Sequence, residues 1–185
     1  VVKRSIEGHE IRVKDGLEVV NPTLALIEFS ADASDRQVRF AFLEACRQGH
    51  FSEADLVYCY TRLVGRPGAE RLRPYLALWV PELTRTKSVY EGWVIIEWVP
   101  TGWPMPLVNH TILGYEVDFF WPDQGHVLEA DGNSYHSDPV QTRLDLEKQK
   151  ALEAHGLTVS RLPYRKFAAD PAAAIATQGA LLGFR

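Results

Sequence analysis

The stretch GYEVDFFWPDQGHVLEADG, residues 114–132, decides the fold of the second half of this chain. Residues 110–121 and 126–131 carry the short, apolar-rich runs that are typical of β-strands. Between them, residues 122–125 read Pro-Asp-Gln-Gly, a composition that favours a tight turn. The pattern therefore predicts two neighbouring antiparallel strands at this point of the chain.

The register of these strands brings acidic side chains together. If residues 122–125 form the loop, Trp121 pairs with His126, and Asp118 then lies directly opposite Glu129. Because alternate residues of a strand share a face, Asp131 joins them on the same side of the sheet. Like charges at such positions are destabilising, and a divalent cation that prefers carboxylate oxygen, such as Mg²⁺, is the simplest remedy. The alternative is a solvated sheet face with ordinary surface carboxylates.

The segments around this pair predict a mixed sheet flanked by helices. Ser88 and Glu91 have the spacing of a capping box, which predicts a helix that ends near residue 98. The Asp-Pro pairs at 138–139 and 170–171 are start signals for two more helices, and residues 157–162 favour a strand between them. The predicted order is α-β-β-α-β-α, an α/β fold with a mixed sheet.

The first part of the chain predicts a smaller, mostly helical region with one β-hairpin. Residues 10–14 and 17–20 are short β-rich runs around Asp15-Gly16, a strong hairpin signal, and Asn21-Pro22-Thr23 then breaks the chain. Helical spacing follows, and the predicted helices cover residues 35–48, 53–63 and 69–79. We place the boundary between the two domains at 87/88, so that the domains are 1–87 and 88–185.

Composition excludes several classes of protein. With 46% hydrophobic and 24% charged residues, the chain can bury a core and does not resemble a disordered segment. No apolar run approaches the roughly 18 residues that a membrane span needs, so no membrane partner is expected. Cys46 and Cys59 form no CxxC pair and fall on apolar helix faces, which predicts reduced core residues in a cytoplasmic protein.

Charge is unevenly distributed along the chain. The formal net charge is −4, but residues 1–87 hold 13 Lys and Arg against 12 Asp and Glu, whereas residues 88–185 hold 7 against 12. Within the first part, residues 62–87 hold six basic and two acidic residues. Such a basic stretch before an acidic half could be a phosphate-binding face beside a metal pocket, or simply solvated charge on helix surfaces.

Three further residues are candidates for catalysis. His136 follows the second strand in a predicted loop and could act as a general base, because an unperturbed imidazole titrates near neutral pH. Asp145, in the next helix, could orient His136, or it could be an exposed helix acid that pairs with Lys148 or Gln149. Glu91 could reach into the same pocket, or it could serve only as the capping-box carboxylate.

The residues from 117 to 162 resemble a known family. The string VDFFWPDQGHVLEADGNSYHSDPVQTRLDLEKQKALEAHGLTVSRL is similar to the catalytic core of a bacterial family related to very-short-patch-repair endonucleases, within the PD-(D/E)XK nuclease superfamily. That family has an Asp in a VDF strand, an E-x-D-G strand, a His shortly afterwards, and an Asp in the next helix with basic residues behind it. The resemblance covers about residues 85–175. The usual lysine of the superfamily is replaced here by Asp131, which assigns the base role to His136 or to water.

The resemblance implies a restriction-endonuclease-like fold and a Mg²⁺- or Mn²⁺-dependent endonuclease that acts on DNA. The metal ligands that it implies are Asp118, Glu129 and Asp131. The catalytic residues are His136, Asp145 and Glu91. The residues that would contact phosphates are Arg143, Lys148, Arg85 and Lys87. The alternative is a non-catalytic DNA-binding or antitoxin-like regulator that retains a nuclease fold. A carboxylate-rich domain that binds a partner protein is a third hypothesis.

Residues 1–87 resemble, more weakly, the middle region of multidomain proteins related to AbiEi-type antitoxins. In such proteins a winged-helix DNA-binding module usually comes first, so the resemblance implies that this module is missing here. The sequence leaves the oligomeric state open, with a homodimer as one candidate.

Overall fold

The computed structural model of the chain describes residues 8–62, 65–132 and 139–185. The chain divides into two compact units, Val1–Thr84 and Arg85–Arg185. The division falls three residues before the boundary expected from the sequence, so Arg85 and Lys87 belong to the second unit. Among the described residues, no helix is long and apolar enough to cross a membrane.

The first unit begins with the predicted hairpin. A short 3-10 helix, Gly8–Glu10, leads into strand β1, Ile11–Lys14, which pairs antiparallel with β2, Leu17–Val20. The two-residue turn places Asp15 and Gly16 at φ 52° and 80°. This is the left-handed conformation that Asp-Gly adopts readily, which confirms the hairpin.

Among the described residues of this unit, four α-helices follow, one more than the sequence predicts. They are α1, Pro22–Asp32; α2, Asp35–Arg47; α3, Glu53–Arg62; and α4, Pro67–Leu76. The expectation that Asn21-Pro22-Thr23 only breaks the chain was wrong. The Asn21 side chain accepts a hydrogen bond from the Leu24 backbone N–H, and Pro22 occupies the first helical position. The same residues that end the hairpin therefore begin a helix.

The core of the first unit forms where α1, α2 and α4 meet. Leu24, Phe42 and Leu72 are completely buried. Cys46 and Cys59 are also buried, as the apolar spacing predicted, and burial raises the pKa of each thiol to about 12. A buried thiol of this kind is a packing group and is not a reactive nucleophile.

The second unit is a mixed α/β fold. Its elements in chain order are α5, Val89–Trp98; β3, Leu107–Ile112; β4, Tyr115–Trp121; β5, His126–Asp131; α6, Pro139–Ala154; β6, Thr158–Pro163; α7, Tyr164–Ala169; and α8, Pro171–Leu181. The sheet order is β3-β4-β5-β6, with antiparallel pairs up to β5 and a parallel pair between β5 and β6. The predicted mixed sheet flanked by helices is confirmed at this level.

One predicted strand was wrong. Residues 110–121 form two strands, because the chain reverses at Leu113 and Gly114, which have φ 54° and 82°. Gly114 was the only turn signal in that apolar run. A leucine in the left-handed region is unfavourable by itself, so the pairing of β3 with β4 must supply the compensating free energy.

The predicted register of β4 and β5 is confirmed. Trp121 pairs with His126, and Phe119 pairs with Leu128. Trp121 packs its ring on Trp98 of α5, with ring centroids 4.9 Å apart. Lys148 of α6 contacts Glu129, which lies three residues from His126, the partner of Trp121 on β5. Because adjacent strand residues alternate faces, α5 and α6 lie on opposite faces of the sheet.

Candidate carboxylate and metal site

Strands β4 and β5 bring Asp118 next to Glu129. The ladder of paired residues extends as far as Phe119 and Leu128, one step before the acidic pair. At that step the Oδ2 atom of Asp118 accepts a hydrogen bond of 2.7 Å from the backbone N–H of Ala130. The carboxylate is therefore fixed against β5 beside Glu129, as the register predicted.

The environment of Asp118 disfavours its charged form. Burial raises the pKa of Asp118 to about 7, and the neighbouring charge of Glu129 contributes to the same shift, with Glu91 a smaller cause. The Ala130 N–H and the ammonium of Lys148 oppose it. The like-charge repulsion expected from the sequence is thus present, and near neutral pH part of it is relieved when Asp118 takes up a proton.

Glu129 has a cation beside it. Its side chain is 11% exposed, and its Oε1 atom lies 2.7 Å from the Nζ atom of Lys148, whose side chain is 24% exposed. The direction of approach does not make a hydrogen bond, so Oε1 is buried with a charge contact and no hydrogen-bond donor. Lys148, expected at the DNA phosphates, is therefore placed within the carboxylate site.

The third predicted metal ligand, Asp131, has a separate partner. Its Oδ1 atom lies 3.3 Å from a guanidinium nitrogen of Arg161. Arg161 comes from β6, where it is the parallel neighbour of Glu129. Within the described part of the chain, no group of three His, Cys, Asp or Glu side chains is arranged to hold a metal ion. Only Asp118 and Glu129 of the predicted ligands are brought together.

Glu91 is engaged at the start of α5. Its carboxylate accepts hydrogen bonds from the Lys87 backbone N–H at 2.9 Å, the Ser88 hydroxyl at 2.7 Å and the Asn109 side-chain amide at 2.7 Å. The Ser88 hydroxyl in turn accepts from the Glu91 backbone N–H. Ser88 thus caps α5 as predicted, but the backbone N–H that Glu91 accepts from belongs to Lys87 and not to the cap residue; the buried carboxylate still lies close enough to Asp118 to raise its pKa.

The candidate residues of α6 lie on and beside one stripe of the helix. Asp145 is three residues before Lys148 and thus on the same side of α6, where it accepts a hydrogen bond of 2.8 Å from Gln141. Arg143 is exposed and lies 3.7 Å from Glu147. The predicted base His136 is in residues 133–138, which lie outside the described residues.

Most of the basic candidates elsewhere already have acidic partners. Lys87 forms an ion pair with Glu116, while Arg85 is exposed and its backbone carbonyl accepts a hydrogen bond from Asn109. In the first unit the basic stretch is partly neutralised by its own carboxylates, through the pairs Arg66–Glu10, Arg71–Asp35 and Arg73–Glu70. The positive charge counted from the sequence overstates what this stretch offers to a phosphate backbone.

Sequence reasoning missed the roles of Lys148 and Arg161. A signal for Lys148 was present, because it lies four residues before Leu152, the completely buried residue of α6, and therefore faces the sheet. Arg161 could not be found in this way, since its partner depends on the parallel pairing of β5 with β6.

The donor set fits a hard divalent cation. Two carboxylates from neighbouring strands offer oxygen ligands, and the buried Oε1 atom of Glu129 faces the Lys148 ammonium. Mg²⁺ is commonly bound by one or two carboxylates and completes its shell with water. Asp118 and Glu129 supply that number of carboxylates.

Comparison of the chain with protein-family models, curated proteins and solved structures finds no match.

Proposed function

We propose that the second unit is a metal-dependent endonuclease that hydrolyses DNA phosphodiester bonds. The observation that carries the proposal is the pair formed by the partly buried Asp118 and the buried Glu129, which two adjacent strands hold side by side. Burying two like charges is costly, and a protein that uses them to bind a cation recovers that cost in the bound state. The sequence resemblance to very-short-patch-repair-like nucleases supports the same assignment.

Asp118 and Glu129 would hold Mg²⁺ or Mn²⁺, and Asp131 is the next candidate ligand if Arg161 releases it. When bound, such a cation stabilises negative charge on the phosphoryl group and lowers the pKa of a coordinated water. Glu91 stabilises the structure next to the site. It fixes the start of α5 and the Asn109 amide through the hydrogen bonds described above.

The proton transfers are assigned to the segment and helix that follow β5. His136 would accept the proton of the attacking water or protonate the leaving 3′-oxygen, a role suited to imidazole near neutral pH. Asp145 would position His136. Exposed Arg143 and Arg85 would contact phosphates, with Lys87 joining them when it leaves its carboxylate partner.

We extend the proposal to the fold, as a restriction-endonuclease-like core. The support is the central four-stranded mixed sheet, with α5 on one face and α6 on the other. The two acidic positions fall on the central strands of that sheet.

A plasmid assay tests the proposal. Wild-type protein is incubated with supercoiled plasmid and Mg²⁺ or Mn²⁺, and nicked and linear products are measured. Asp118→Asn and Glu129→Gln keep the side-chain shape and remove the charge, and we expect each to lower cleavage by at least about 100-fold. Asp123→Asn, which removes one exposed carboxylate of the turn between β4 and β5, is the matched control and should cleave like wild type. Cleavage that persists in EDTA, or that is unchanged in Asp118→Asn, contradicts the proposal.

A second candidate function is a non-catalytic DNA-binding or antitoxin-like regulator. The observation in its favour is that Lys148 and Arg161 already balance Glu129 and Asp131 without any metal. A protein of this kind would bind plasmid equally well in EDTA and in Mg²⁺ and would not cleave it.

A further inference from the structure

A cationic side chain of the chain itself lies beside the carboxylates of Asp118 and Glu129. Lys148 reaches Glu129 from α6, across the face of the sheet, and its charge also acts on Asp118. The other basic residue of this region, Arg161, is engaged by Asp131. Among the described residues, Lys148 is therefore the cation that offsets the negative charge of Asp118 and Glu129.

Lys148 and a divalent cation would compete for the same oxygen. The ammonium lies 2.7 Å from Oε1 of Glu129, the atom that is buried and accepts no hydrogen bond. A Mg²⁺ ion binds a carboxylate oxygen at about 2.0–2.1 Å, so both cations on one oxygen would lie within a few ångströms of each other. Two positive charges at that separation in a site with little water repel strongly.

Lys148 is also able to leave. About a quarter of its side chain is exposed, and a lysine is a flexible four-carbon arm with a strongly hydrated head. Glu129, on a central strand, has no such freedom. The lysine is therefore the partner that moves when a second cation arrives.

Resting on the function proposed above, we propose that Lys148 is a built-in counter-ion that occupies the carboxylate site until a divalent cation displaces it. The site then binds metal only in the fraction of molecules whose lysine has swung out, which weakens the apparent affinity by that fraction. The Lys148 ammonium offsets the negative charge of the two carboxylates in the metal-free protein, and the metal concentration then controls where that ammonium lies.

The first test measures metal affinity without DNA. Mn²⁺ is titrated calorimetrically into the full chain as wild type, Lys148→Met, and Lys150→Met, which removes an exposed lysine of the same helix. We expect Lys148→Met to bind Mn²⁺ at least about tenfold more tightly than wild type, within the usual range of such coupling. Lys150→Met should match wild type, and Asp118→Asn should lose the binding.

The second test uses the wild-type protein, so it stands even if Lys148→Met fails to fold. The rate at which acetic anhydride modifies each lysine is measured by mass spectrometry, with and without saturating Mg²⁺. We expect the modification rate of Lys148 to rise severalfold with Mg²⁺ while that of Lys150 stays constant.

The outcomes separate the inference from the function. The counter-ion proposal is overturned if wild type binds Mn²⁺ through Asp118 but Lys148→Met binds it no more tightly. It is also overturned if Mg²⁺ leaves the reactivity of Lys148 unchanged. In both cases the nuclease proposal stands. If none of the proteins binds Mn²⁺, both are overturned.

Discussion

Replacing Asp118 by asparagine should stabilise the metal-free protein at alkaline pH. In the folded protein the pKa of Asp118 is about 7, against an ordinary value of 3.8, chiefly because the side chain is buried and lies beside Glu129. The folded state therefore holds the proton more tightly than the unfolded chain. The contribution of Asp118 to stability is therefore least unfavourable below pH 4, becomes more unfavourable as the pH rises towards 7, and reaches its full penalty above that.

The magnitude follows from the two pKa values. The difference between 3.8 and about 7 corresponds to about 4 kcal/mol of unfolding free energy, at about 1.4 kcal/mol per pH unit. Between pH 5 and pH 8 the share of this penalty that develops is about 3 kcal/mol. Asparagine keeps an oxygen that can accept the Ala130 N–H but has no charge, so the advantage of Asp118→Asn over wild type should grow by about that amount across this range.

Urea unfolding followed by tryptophan fluorescence is a suitable assay. Four of the five tryptophans lie in the second unit, so the signal reports mainly on the unit that contains Asp118. Wild type, Asp118→Asn and the exposed control Asp123→Asn are unfolded in EDTA at pH 5 and pH 8. If the difference in stability between Asp118→Asn and wild type is the same at both pH values, or is negative at pH 8, the electrostatic account of the site is wrong.

Three other substitutions test the fold. Gly68→Ala should destabilise the first unit by about 1–3 kcal/mol in a circular-dichroism melt, because the added Cβ would lie 1.7 Å from the carbonyl oxygen of Ile27 and force α1 away from α4. The control Glu70→Ala, on the exposed side of α4, should lower the stability by less than about 0.5 kcal/mol in the same melt. Burial lowers the pKa of His126 below its ordinary value of 6.5. The unfolded chain therefore takes up a proton first, and stability is lost as the pH falls below about 6.5. His126→Gln should remove part of that loss between about pH 7.5 and pH 5, and an unchanged pH dependence of stability would contradict this expectation. Glu91→Gln should lower the stability of the second unit by about 1–3 kcal/mol, because an amide N–H would face donors that now meet a carboxylate, and a melting temperature equal to that of wild type would show that these hydrogen bonds contribute little.

Local chemistry made parts of the fold predictable. The turn at 122–125 and the two-residue period of its flanking strands set the register of β4 and β5, which predicts that Asp118 lies beside Glu129. The cap at Ser88, whose side chain accepts from the Glu91 N–H, similarly marks the start of α5 within four residues of sequence. The same rules failed at residues 113–114, where a leucine takes a left-handed conformation because the strands on either side pair.

What the sequence by itself determined is that Asp118 and Glu129 would meet, because a strand register depends on a turn and an alternation that are both local. Only the tertiary structure decided how the charges of the acidic groups are balanced. Lys148 arrives from α6 and Arg161 from β6, and each choice of partner depends on how distant elements pack. The free energy of a buried carboxylate depends on every charge within a few ångströms, and the sequence alone does not give the distances between those charges.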